Sequence, residues 1–91
     1  MTRFLIEVPH DNTKEACEQA IQVFLATGSH FMTNADWGCK DSVHKAWFVV
    51  EIGSKDEARA ILPPLFRRSA TIVALNKFGK DDFAPVAKEH G

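Results

Sequence analysis

The chain has 91 residues, 45% hydrophobic and 25% charged, with 11 basic and 12 acidic side chains and a formal net charge of −1. That length supports one core, so residues 1–91 are read as a single domain, its core over about 3–78 and a short tail over 79–91. Near-neutral charge excludes a general nucleic-acid binder, and no apolar run approaches the roughly 18 residues that a membrane span requires.

Met1-Thr2-Arg3 leads straight into a strand pattern with no signal-peptide core, so a cytoplasmic location is expected. Cys17 and Cys39 are then expected as free thiols. Arg3 to Val8 (R-F-L-I-E-V) alternates Phe4, Ile6 and Val8 on one face with Arg3, Leu5 and Glu7 on the other. Pro9 stops this first strand. Asn12 opens N-T-K-E, a capping box with Glu15. The helix behind it carries Cys17, Ala20, Ile21 and Phe24 as one apolar stripe, with Cys17 read as a small core residue. Gly28 is placed to end it in a left-handed cap.

A second strand is expected over about His30 to Trp37 and a third over about His44 to Ile52, joined by the turn-forming run G-C-K-D-S-V. Ser54 and Glu57 repeat the capping signal. Ala58, Ile61, Leu62 and Leu65 mark a second helix that Pro63-Pro64 ends or distorts. Arg67-Arg68 is read as a solvated turn. Ala70 to Leu75 supplies a fourth strand, and Asp81 or Asp82 caps a terminal turn with Pro85 near its start.

The order β-α-β-β-α-β is that of an α+β, ferredoxin-like domain: a four-stranded antiparallel sheet in the order 4-1-3-2 with two helices on one face. Its other face receives Leu5, Glu7, Lys45, Trp47, Val49 and Glu51. Leaving Trp47, Val49 and Leu5 in water forgoes about 25 cal/mol per Å² of apolar area. A second copy of the chain, a small ligand, or both are expected to cover them.

Three features carry a family resemblance: A-D-W-G (Ala35 to Gly38), the polar turn after it, and V-V-E-I (Val49 to Ile52) ahead of the Ser54 helix. With the element order over residues 3–78, the chain resembles the dimeric α+β-barrel superfamily of small ferredoxin-like proteins. That group includes muconolactone-isomerase-like proteins, small monooxygenases and short domains of which some bind nickel. The resemblance implies a homodimer whose facing sheets enclose a pocket.

The segment Ser29 to Glu51 holds both tryptophans, two of the four histidines and one of the two cysteines. Trp37 and Trp47 either anchor a hairpin or wall an apolar pocket with Asp36, Lys45 or Glu51 as polar anchors. Glu7 and Glu51 fall on the two central strands. These two strands are expected to pair in parallel, which would bring the two carboxylates close enough on the open face for one to act as a general base; a sheet salt-linked through Arg3 and Lys45 is the milder reading. Cys39 with His44, oriented by Asp36 or Asp41, is a candidate thiol–imidazole pair.

His10, His30, Cys39 and His44 have ligand chemistry suited to zinc or nickel, but no standard zinc spacing. The expected topology puts His10 and His30 at one end of the sheet, with Glu51 between them, and Cys39 and His44 at the other. Any metal is therefore expected on a His10–Glu51–His30 row. Four function readings follow. The first is a homodimer binding a small organic ligand without a cofactor, through Glu7, Asp36, Trp37, His44, Trp47 and Glu51. The others are an accessory protein using the same face, a cofactor-independent isomerase or monooxygenase, and a nickel or zinc binder.

Overall fold

Alternation along the first strand decides where the core lies. The computed structural model describes residues 1–83. In it β1 (Thr2–Pro9) buries Phe4, Ile6 and Val8 and turns Arg3, Leu5 and Glu7 the other way. β1 pairs antiparallel with β3 (Lys45–Ile52) from Thr2↔Ile52 to Pro9↔Lys45, and with β4 (Thr71–Leu75) from Arg3↔Leu75 to Glu7↔Thr71. The short β2 (Asp36–Trp37) pairs antiparallel with β3 at Asp36↔Trp47 and Trp37↔Ala46. The sheet order is β2-β3-β1-β4, or 4-1-3-2 counted from the β4 edge.

The helices supply the other half of a single core. From α1 (Lys14–Ala26) come Ala20 and Phe24; α2 (His30–Thr33) adds Met32. Ala58 comes from α3 (Lys55–Ala60), Leu62 from the segment after it, and Phe66 from α4 (Pro64–Arg67). Phe24 is the hub, with its ring 5.0 Å from Trp37, 5.5 Å from Phe66 and 6.0 Å from Phe48. Its full burial contributes about 1.5–3 kcal/mol. Among the described residues, no helix is long and apolar enough to cross a membrane.

Several expected boundaries shift. Helix α1 is capped by Thr13, not Asn12: the Thr13 hydroxyl accepts from the Ala16 amide at 3.0 Å. Gly28 does take the left-handed conformation after it, at φ +68°. The stretch His30–Thr33 is helical rather than extended. Ser29 caps it by accepting from the Met32 amide, while Asn34 and Thr33 donate to the His30 and Ser29 carbonyls at 2.7 and 2.8 Å. These local bonds, with Met32 buried beneath them, leave only Asp36 and Trp37 to pair with β3.

The Ser54 cap forms as expected, but Glu57 reaches back to the Gly53 amide at 3.2 Å rather than to Ser54. The expected long second helix is two short ones. Pro63 and Pro64 break it, Pro64 begins α4, and Phe66 is buried while Leu65 is 64% exposed. The freed carbonyls are satisfied by arginines. Arg67 donates to Leu62 and Ala60 at 2.8 and 3.0 Å, and Arg59 to Arg67 and Ala70. Arg67, at the exposed end of α4, is thus a structural clamp as well as a solvated residue. Past β4, the Asp82 carboxylate accepts from the Gly79 amide at 2.6 Å at the start of a 3-10 turn over Lys80–Phe83. Pro85 lies outside the described residues.

Candidate metal centre

The antiparallel pairing of β1 and β3 sets which residues meet at the end of the sheet. Because the last rung is Pro9↔Lys45, His10 and His44 are the next residues on each strand, and the His10 amide donates to the His44 carbonyl at 3.0 Å. β2 is antiparallel to β3, so it runs parallel to β1, with β3 between them, and ends at the same edge of the sheet. The loop from Gly38 to Val43 therefore folds over the same end as His10. Three amide bonds close that loop: Asp41 and Val43 to the Gly38 carbonyl, each 3.0 Å, and Ser42 to the Cys39 carbonyl at 3.1 Å.

Gly38 is required there by contact. A Cβ at this position would lie 2.7 Å from the Val43 carbonyl oxygen and 2.9 Å from the Trp47 ring.

This packing gathers His10, Cys39 and His44, all half-buried, with one donor atom of each within 4.8 Å of the others. His10 Nε2 lies 3.1 Å from Cys39 Sγ, and its Nδ1 lies 2.9 Å from the Asp11 carbonyl oxygen. A carbonyl can only accept, so Nδ1 is the donor there, and in the neutral imidazole Nε2 then presents a lone pair to Cys39. Fixing the far ring nitrogen on a backbone carbonyl is how metal-binding histidines are commonly oriented. Nδ1 of His44 is buried without a hydrogen-bond partner among the described residues, a state that disfavours folding by about 1–3 kcal/mol.

Cys17, in the first turns of α1, is also half-buried. It and Cys39 line one cavity of about 470 Å³ together with His44, Lys14 and Lys40. The contact with Cys39, burial, and the neighbouring charges of Cys39 and Glu18 push the Cys17 thiol up to about 11. Cys17 thus borders an open cavity beside the cluster and is not a sealed core residue.

The expected sites are redistributed accordingly. Cys39 and His44 are not at the opposite end from His10; they are its neighbours. Glu51 pairs across from Arg3, six positions along β3 from Lys45, or about 20 Å at the usual rise per residue. His30 sits on exposed α2, where its backbone carbonyl is bonded by Asn34. The His10–Glu51–His30 row therefore does not form. Glu7 and Glu51 are also apart, because β1 and β3 are antiparallel and Glu7 stands opposite Trp47.

Glu7 instead accepts from Trp47 Nε1 at 3.0 Å and from Lys45 Nζ at 3.5 Å. The milder salt-linked reading holds for Lys45. Asp36, opposite Trp47, lies on the open face beside a depression of about 410 Å³ with Leu5, His30, Phe31 and Val49. Trp37 stands opposite buried Ala46 and packs on Phe24, so it anchors the hairpin to the core and does not face Trp47.

Comparison with known proteins gave no match to a family model, to a curated protein or to a solved structure.

Proposed function

We propose that this chain is a ferredoxin-like domain that binds a transition-metal ion of the zinc class through His10, Cys39 and His44. The observation that carries this reading is the convergence of three donor atoms within 4.8 Å, from residues 29 or more positions apart in two of the three pairs. A tetrahedral zinc ion with bonds of about 2.0 Å to nitrogen and 2.3 Å to sulfur spaces its ligands about 3.4–3.6 Å apart. Small side-chain movements would bring this cluster to that spacing. Mixed imidazole and thiolate donors favour zinc, nickel or copper over magnesium or calcium.

The test is isothermal titration of the purified chain with zinc and nickel salts. One ion per chain is expected, with affinity abolished in Cys39→Ser and reduced in His10→Ala. Absence of saturable binding by the wild type would sink the proposal.

A second reading has a separate basis. Val49 and Val73 are 44% and 45% exposed on the open sheet face, flanking Leu5, and Val49 lines the depression with Trp47. Pairing of two such faces into a homodimer would bury them and could enclose a small organic ligand. Sedimentation at tens of micromolar should show a dimer that Val49→Glu dissociates. A wild-type monomer would refute this reading and leave the metal site untouched.

A further inference from the structure

We infer that Cys17 is the fourth ligand of this centre, completing a two-histidine, two-cysteine set for a thiophilic divalent ion. The inference rests on the three-ligand reading above and deepens it. Three protein ligands leave a tetrahedral ion one open position, which water or substrate fills in catalytic sites, whereas four close it.

Position supports Cys17. It lines the same cavity as Cys39 and His44, two of the three donors. Cys17 lies outside the 4.8 Å cluster of the other three donors. Rotation about its single side-chain torsion is the movement by which it would join them across that cavity. The helix that carries it is anchored two turns on by buried Phe24. Coordination would give each sulfur a bond to the ion, spacing the two sulfurs about 3.8 Å apart.

Charge agrees with this assignment. Two thiolates and two neutral imidazoles balance a divalent cation, and Lys14 and Lys40 are among the residues that line the same cavity. Glu18 is the rival donor there, but its carboxylate is 58% exposed and faces Lys14 at 3.9 Å. A closed set of this kind holds an ion for binding or structure and leaves no site for a metal-bound water.

The experiment is cobalt(II) titration of the full chain, followed by near-ultraviolet sulfur-to-cobalt charge transfer and visible ligand-field bands. Wild type is expected to show two-thiolate intensity with tetrahedral ligand-field bands. Cys17→Ser should halve the charge transfer and weaken binding by more than the roughly tenfold typical of losing a supporting group. Glu18→Gln should match wild type.

If wild type gives no charge transfer at all, the three-ligand reading fails and takes this inference with it. If wild type and Cys17→Ser give the same one-thiolate spectrum and affinity, Cys17 is no ligand and the three-ligand site stands. Alkylation of the wild type covers the case in which the variant misfolds. Saturating zinc should protect Cys17 and Cys39 alike, and protection of Cys39 alone overturns the inference.

Discussion

Replacing Gly38 with alanine tests the packing that brings the hairpin over the end of β1. Its backbone is in an ordinary region, at φ −97°, so the effect comes from contact and not from backbone strain. The added Cβ would meet the Val43 carbonyl oxygen at 2.7 Å and two Trp47 ring carbons at 2.9 and 3.0 Å. Neither neighbour gives way easily. The Val43 amide is bonded to the Gly38 carbonyl, and the Trp47 ring is held by Glu7.

Overpacking of this kind destabilises by about 2–3 kcal/mol, or about 8–24 °C in Tm for a domain of this size. Gly53→Ala is the control. Its Cβ would meet the movable end of the Glu57 side chain at 3.1 Å, so a loss under about 1 kcal/mol is expected. Chemical denaturation with parallel thermal melts measures both. The reasoning is refuted if Gly38→Ala stays within about 1 kcal/mol of wild type, or if Gly53→Ala loses as much.

Zinc at a hundred times its Kd should stabilise the fold by about 2.7 kcal/mol, a rise in Tm of about 11–22 °C; a scanning melt that does not move, or one that moves equally in Cys39→Ser, counts against the site. Arg67→Ala should lose about 1–2 kcal/mol by stripping donors from the Leu62 and Ala60 carbonyls. Arg68→Ala should stay within about 0.5 kcal/mol, and equal effects in denaturant titrations would contradict the clamp. With its thiol pushed up to about 11, chiefly by Cys39, Cys17 stays protonated well past neutrality. Its alkylation by iodoacetamide should therefore lag until strongly alkaline pH and speed up in Cys39→Ser, because the thiolate is the nucleophile. An unchanged pH–rate profile in that variant would remove Cys39 as the cause.

Features set by a few neighbouring residues were legible before any coordinates. The alternation Phe4, Ile6, Val8, the cap at Ser54 and the left-handed Gly28 each depend on contacts within a turn or a strand. Met32 shows where local reading stops. His30 to Trp37 carries a strand-like pattern, yet the Ser29 cap and the burial of Met32 make its first half helical. The cluster was hidden for a topological reason. His10, Cys39 and His44 have no spacing signature, and whether they meet depends on the relative direction of β1, β2 and β3. Antiparallel β1–β3 pairing brings His10 beside His44 and separates Glu7 from Glu51; a parallel pairing reverses both results. The usable signal was His10 directly after a strand-ending proline and His44 directly before β3, the next rung of an antiparallel ladder. Cys17 was masked by its place on an apolar helical stripe, where a thiol and a small hydrophobe look alike.

X-ray absorption at the zinc edge of the zinc-loaded chain tests the central claim most directly. The account predicts sulfur scattering at about 2.3 Å together with imidazole nitrogen at about 2.0 Å, with the sulfur shell lost when Cys17 and Cys39 are both replaced by serine. A shell of oxygen and nitrogen alone in the wild type would contradict it.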